Sequence, residues 1–289
     1  MIAEVRRFNR TITARVGALN DRYLGRERQL GEARVLWEIG PDGCELRRLR
    51  SRLGLDAGYT SRLLRSLEAA GLVSVAPGAV DRRTRIARLT EAGLAERRTL
   101  DARSDELARS FLEPLDDARQ ARLVAAMRDV ERLLTAAVVE VVPVDPAHPD
   151  ALRCIAAYFA ELNRRSATPF DPGAGTSAEP HELRPPAGAF VVAYLDAEPV
   201  GCCALKHRAD GRSEIKRMWV ADAARGLGIG RRLLAEMERR ATEHGARAVR
   251  LDTNRHLTEA IAMYRSAGYV EVPRFNDEPF AHHWFEKRV

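Results

Sequence analysis

Arg225-Gly226-Leu227-Gly228-Ile229-Gly230 decides the fold of the C-terminal half of this chain. It follows an extended, alternating run, Glu214–Val220, and opens a helical pattern, Gly230–His244. A strand feeding a glycine-rich turn into a helix N-terminus aims several backbone N–H groups, plus the positive end of the helix dipole, at one anion. Glycines at 226, 228 and 230 let the backbone approach that anion closely and adopt conformations barred to other residues. The stretch reads as a cradle for a phosphate or pyrophosphate. Its spacing is not Gly-x-Gly-x-x-Gly, and no Lys-Ser/Thr follows Gly230, so neither a dinucleotide fingerprint nor a P-loop is present.

Working outward, extended runs at Phe190–Leu195 and Val200–Lys206 precede the cradle strand, and Val249–Asp252, Tyr269–Val272 and His282–Glu286 follow it. Helical patterns occupy Pro149–Arg164 and Thr258–Ala267, and a Pro/Gly/Thr-rich loop spans Ser166–Gly188. Strands first, then β-α-β-α-β, predict a mixed α/β layout. Residues 1–135 read instead as helices interrupted once. The period changes near 136–140, so the chain is expected to be α+β with two domains, 1–137 and 138–289, in keeping with a length of 289 residues.

In the first half, Val5, Phe8, Ile12, Val16 and Leu19 form an apolar stripe on a first helix. Short helices at Glu45–Leu53 and Thr60–Ala70 flank the turn Gly54-Leu55-Asp56-Ala57-Gly58, and Gly71 caps the second. Leu72–Val75 and Arg85–Leu89 make a hairpin whose tip holds Asp81-Arg82-Arg83. Long helices follow, one N-capped by Thr90 and one over Asp116–Leu134. Helix-turn-helix plus basic hairpin is the arrangement that puts one helix in a major groove and a wing on the flanking backbone. On the candidate reading helix Ser61, Arg62 and Arg65 are the polar positions, Arg suiting guanine or phosphate and Ser a backbone or base-edge contact. Residues 45–65 hold six Arg, Arg48 among them, against Glu45 and Asp56. An arginine-coated helical bundle is the alternative that charge alone leaves open.

The net charge of +6 is unevenly placed: 26 Arg against 21 Asp+Glu lie in residues 1–140, and 21 Lys+Arg against 20 in residues 141–289. An acidic polymer is therefore a more natural partner for the first half than for the second. Cys44, Cys154, Cys202 and Cys203 show no CxxC spacing, so no metal site and no disulfide framework is expected. The N-terminus MIAEVRRFNR lacks an apolar signal core, and no apolar stretch approaches the roughly 20 residues that span a bilayer. A cytoplasmic protein without membrane attachment is the expectation.

Across residues 1–135 the order of elements resembles the MarR family of winged helix-turn-helix regulators, whose wing commonly carries Asp-x-Arg, matched by Asp81 and Arg83. The resemblance implies a homodimer through the terminal helices, here Ile2–Leu19 and Asp116–Leu134. It also implies binding of duplex DNA at a palindromic operator through Arg48, Ser61, Arg62, Arg65, Asp81, Arg82 and Arg83.

Arg225-x-x-Gly228-x-Gly230 after a strand ending in Val resembles the GNAT superfamily of acetyl-CoA-dependent N-acetyltransferases. The stretch from Ala260 through Tyr264 to Gly268-Tyr269 resembles that superfamily's later motif. The resemblance covers about residues 139–289. It implies acetyl-CoA as co-substrate, with its pantetheine arm on the backbones of Met218 and Val220 and its pyrophosphate on Arg225, Gly226, Gly228, Gly230 and Arg231. Tyr264 becomes the candidate general acid for the thiolate; a ring packed on the sheet is the alternative. Strand alternation places Glu214, Lys216, Met218 and Val220 on one face, and several members use a glutamate on this strand, so Glu214 is the candidate base. A salt bridge from Glu214 to Lys216 or Arg217 is the alternative. Leu257-Thr258-Glu259 lacks the Asn that many members use to hold the pantetheine, and Asn254, a turn earlier, is the candidate substitute. The loop with Phe170, His181 and Glu182 is expected to shape the acceptor pocket.

Together these readings imply a DNA-binding regulator fused to an acetyltransferase acting on an amine of a small molecule or protein. Two other arrangements fit the same motifs. In one the C-terminal domain only senses acyl-CoA or a small ligand; in the other the winged helix serves only as a dimerisation scaffold.

Overall fold

The computed structural model describes all residues except 21, 27, 79–81 and 166–177. The chain divides into two compact units, Met1–Met127 and Arg128–Val289.

The first unit begins with α1 (Ile2–Arg15), which buries no residue. There follow α2 (Leu30–Ile39), β1 (Cys44–Glu45), α3 (Leu46–Leu53), α4 (Ala57–Ala69), β2 (Val73–Pro77), β3 (Arg85–Leu89) and α5 (Glu91–Leu112). A further helix, α6 (Asp117–Ala137), starts here and ends in the second unit. Leu36, Leu49, Leu67 and Leu100, one from each of four helices, are fully buried and form the centre of this core. Strands pair in the order β1-β3-β2, so the expected hairpin gains a third strand, Cys44 and Glu45 lying opposite Ala87 and Ile86. The helix read from Thr60 starts at Ala57 because the Asp56 carboxylate accepts the Tyr59 N–H at 2.8 Å, capping the first turn. Thr90 caps α5 as expected, its hydroxyl accepting the Gly93 N–H at 3.1 Å.

The second unit is a seven-stranded sheet ordered β4-β5-β6-β7-β8-β10-β9. The strands are β4 (Glu140–Pro143), β5 (Gly188–Leu195), β6 (Glu198–His207), β7 (Arg212–Val220), β8 (Ala248–Thr253), β9 (Val270–Glu271) and β10 (His283–Arg288). Among the described residues the sheet is accompanied by α7 (Pro149–Arg165), α8 (Ile229–Glu243) and α9 (Thr258–Ser266), besides the end of α6. Alternation along the central strands feeds two cores. Val191, Cys203 and Leu205 pack with Leu233 and Met237 of α8, whereas Phe190, Val192 and Cys202 pack with Ala151 and Cys154 of α7. The adjacent Cys202 and Cys203 thus face opposite sides of the sheet, as free, buried thiols. Among the described residues, no helix is long and apolar enough to cross a membrane.

Two features of β7 position the site. It runs parallel to β8, pairing from Arg212↔Ala248 to Ile215↔Leu251 and no further, so the two strands part beyond that point. Against β6 it carries a bulge: Lys216 faces Ala204 and Trp219 faces Cys202, leaving Arg217 and Met218 opposite the single residue Cys203, with Arg217 at φ 52°.

At the end of β6 the His207 ring stacks on that of His244, centroids 3.5 Å apart and planes within 6°, and His207 Nδ1 lies 2.8 Å from Ser213 Oγ. Burial, and secondarily the neighbouring imidazole, hold the His207 pKa down to about 4. A histidine whose folded pKa lies below its unfolded value stabilises the fold above the unfolded value and loses that contribution as pH falls through the window beneath it. The denaturation midpoint is therefore expected to drop between pH 6.5 and about 4, and His207→Gln, which cannot charge, to flatten that slope. A slope unchanged by the substitution would show that other groups set the acid limit.

Candidate functional site

Where β7 and β8 part, the chain turns from Val220 through a short 3-10 turn (Asp222–Ala224) into the glycine stretch and α8. Gly226 and Gly228 have φ of 80° and 74°, and a Cβ on either would meet nothing within 4 Å: their conformation demands glycine, and the space beside them is open. Gly228 is the N-cap, so no side chain caps α8. The first backbone bond closing the helix is Arg232 N–H to Gly228 O at 3.1 Å. Among the described residues the N–H groups of 226–231 donate to no backbone carbonyl outside the regular elements. An uncapped helix start of this kind concentrates unsatisfied donors at the positive end of the dipole.

These donors open on a cavity of about 640 Å³. Its walls include Met218, Trp219 and Val220 of β7, Tyr158, Glu161 and Arg165 of α7, and Leu257, Ala260, Met263 and Tyr264 around α9. Arg132, Leu133 and Ala136 at the end of α6 also line it. Tyr264 is buried, with its hydroxyl 3.5 Å from Met218 Sδ. A thioether is a weak acceptor, so this hydroxyl keeps a proton to give. Desolvation raises its pKa well above the usual phenol value, with Cys203, Tyr158 and Asp252 adding to the effect, so it stays protonated.

Arg225 lines the cavity, but its guanidinium is bound by the Glu161 carboxylate and by Asp222 Oδ1 at 2.7 Å. Glu161, 5% exposed, also accepts Trp219 Nε1 at 2.9 Å and pairs with Arg165 Nε at 3.0 Å. It therefore ties the cradle loop, β7 and α7 together. Arg231 lines the cavity and donates to Ser266 Oγ at 3.3 Å. Gly230 packs where a Cβ would lie 3.0 Å from Met263 Sδ.

Two expectations do not fit this geometry. Glu214 does not line the cavity: the bulge at Arg217 shifts the alternation, so Ile215 shares the α8 side with Met218 and Val220, and Glu214 points to the other. Its carboxylate is 1% exposed and held by Arg208 at 2.7 Å, Lys216 at 2.9 Å and Asn276 at 3.1 Å. Burial alone would raise its pKa, but Lys216 and Arg208 overcome this and hold it below the ordinary value, which makes it a poor base. Asn254 likewise lies outside the cavity lining: its amide donates to Phe280 O at 2.9 Å and its oxygen accepts His256 N–H at 3.0 Å, stapling the loop after β8. Tyr158, Glu161, Trp219 and the α6 residues were not legible as lining groups, because only the tertiary fold brings them to the cradle. Of the loop expected to shape an acceptor pocket, Phe170 lies outside the described residues, and Glu182 pairs with Lys206 at 2.5 Å.

In the first unit, Ser61, Arg62 and Arg65 are exposed along α4, while Leu63, Leu64 and Leu67 are buried. Arg62 stacks over the Tyr59 ring at 5.4 Å and Arg65 Nε donates to Ser61 O at 3.2 Å, so both stems lie against their own helix. Arg48 on α3 and Arg82 and Arg83 beyond β2 are exposed as well; Asp81 lies outside the described residues. Ile2, Val5 and Phe8 of α1 are exposed at 79%, 58% and 49%, an apolar stripe left open.

The class follows from these two constellations, and comparison with known proteins agrees. Residues 24–84 match the MarR family and residues 156–269 match the acetyltransferase (GNAT) family. The chain thus carries a MarR-family winged-helix domain and a GNAT-family acetyltransferase domain. Among individual proteins, it is 40% identical over 83 residues to an IAA acetyltransferase of Azospirillum brasilense, covering 28% of this chain and 54% of that protein. It spans about half the length of that curated relative. Similar solved structures include a GNAT-family acetyltransferase of Staphylococcus aureus, at 16% identity and TM-score 0.45 over 52% of this chain and 99% of that one. An IAA acetyltransferase of Bacillus cereus matches at 17% identity and TM-score 0.38 over 52% and 99%.

Proposed function

We propose that the Arg128–Val289 unit transfers the acetyl group of acetyl-CoA to an amine of a small molecule or protein, and that the Met1–Met127 unit binds duplex DNA at a palindromic operator as a homodimer in the cytoplasm. The uncapped α8 start, opening on the same cavity as the Tyr264 hydroxyl, carries the first part. Unsatisfied N–H groups at 226–231 and open space beside Gly226 and Gly228 fit a pyrophosphate. The thioester supplies an activated acetyl group. Met218 and Val220 lie on β7 beyond its last pair with β8, where their backbone is available to an extended arm. The amine nitrogen bonds to the acetyl carbon as the C–S bond breaks, and Tyr264 gives its proton to the sulfur and recovers one from the nitrogen. A neutral amine thus needs no carboxylate base, and Glu214 is assigned none. CoA-thiol release with a panel of amines tests the reading; no release with any amine would remove the enzyme claim.

The exposed Arg residues of α3, α4 and the wing, with the open apolar stripe of α1, support the second part. In gel shifts at low salt, Arg62→Ala/Arg65→Ala is expected to retain a DNA duplex at least ~10-fold more weakly than wild type, and raised salt should narrow the gap, since phosphate contacts release counterions. Equal retention would leave the winged helix as a scaffold.

A further inference from the structure

One wall of the cavity comes from outside the segment that matches the acetyltransferase family. The last turns of α6 contribute Arg132, Leu133 and Ala136, all within the Arg128–Val289 unit. Positions three and four apart share a helical face, so these residues present one surface. Two bonds fix it beside the cradle: Arg232 Nη1 donates to Ala136 O at 3.0 Å, and the Arg232 N–H closes the first turn of α8 on Gly228 O at 3.1 Å.

The guanidinium groups lining this cavity are unequally committed. Arg225 is held by Glu161 and Asp222, and Arg165 by Glu161 and Glu259. Arg132, by contrast, pairs with Asp129 one turn back at 3.1 Å, both side chains more than half exposed. Such a pair is worth little in water and is readily exchanged for a stronger anion. Acyl-CoA carries a pyrophosphate and a separate ribose 3′-phosphate. The backbone donors of the cradle, with Arg231, suit the first and leave the second to a cation supplied from elsewhere.

We propose that Arg132 binds the ribose 3′-phosphate of acyl-CoA, exchanging Asp129 for a forked pair with the phosphate. The inference rests on the acetyl-CoA reading above. Titration calorimetry of the full chain with CoA and with dephospho-CoA tests it. Wild type is expected to prefer CoA by about 10-fold, the effect of one charge-assisted contact. In Arg132→Ala that preference should vanish through loss of CoA affinity alone, with dephospho-CoA binding and the thermal midpoint unchanged, and Arg132→Lys should keep part of it. Equal weakening of both ligands, or of neither, overturns the assignment. If wild type binds neither ligand, the cradle reading falls first and this one with it, a result distinct from loss of preference alone.

Discussion

Gly228→Val is expected to weaken acetyl-CoA binding by at least ~100-fold, measured by calorimetry on the intact chain. Gly228 sits at φ 74° with nothing within 4 Å of its Cβ direction, so the new side chain enters the space assigned to the pyrophosphate. The left-handed conformation costs a β-branched residue on the order of 1–2 kcal/mol, and each charge-assisted hydrogen bond lost on reorienting the loop about 1.5–3 kcal/mol. One such bond plus the backbone penalty already accounts for two decades. Gly245 supplies the control: its φ is 80°, its Cβ direction is equally empty, and it follows α8 away from the cavity. Gly245→Val should lower the thermal midpoint and leave CoA affinity intact. Equal loss of affinity in both variants would mean that the backbone penalty, rather than occupation of the cradle, weakens binding.

Tyr264→Phe is expected to lower kcat by roughly 100-fold or more with little change in KM, the range found for a positioned proton donor. The ring packs against Tyr269 and Phe285 at centroid distances of 6.0 and 6.1 Å, contacts that Phe preserves, so the fold should not move. The hydroxyl donates to the Met218 sulfur at 3.5 Å, and losing that contact costs little. Because burial keeps the phenol protonated far above its ordinary range, ionisation of Tyr264 should not bring an alkaline decline up to about pH 10. The rising limb should instead track the amine used as acceptor. Unchanged kcat would return Tyr264 to the alternative of a packing ring.

What the amino-acid sequence revealed, and what it hid, divides along local and non-local physics. The cradle was legible because its demand for positive φ is met by glycines at fixed spacing after a strand, all within a dozen residues. The helix α4 was legible except for its first turn: Gly58 weakened the helical pattern, while the Asp56 cap overrode it. The face of Glu214 was not, because the bulge sits at Arg217, a residue that carries no local mark of φ 52°. Strict alternation holds up to the bulge and inverts after it. Nor could the clasp of Glu161 on Arg225 and Trp219 be seen, since those partners lie 64 and 58 positions away. Asn254 resembled a pantetheine ligand by residue type alone, whereas its side chain is spent on the His256 N–H of its own loop and on Phe280 O, 26 positions away.

The helix α6 has a consequence for how such a fusion is taken apart or recombined. The two compact units divide within it, after Met127, whereas the change of sequence period falls near 138. A fragment cut at the change of period would leave Arg132, Leu133 and Ala136 behind with the wrong half and open one side of the cavity. A cut between the compact units would end in mid-helix. Because α6 carries residues of both compact units, a chimera that exchanges either half must keep this helix whole.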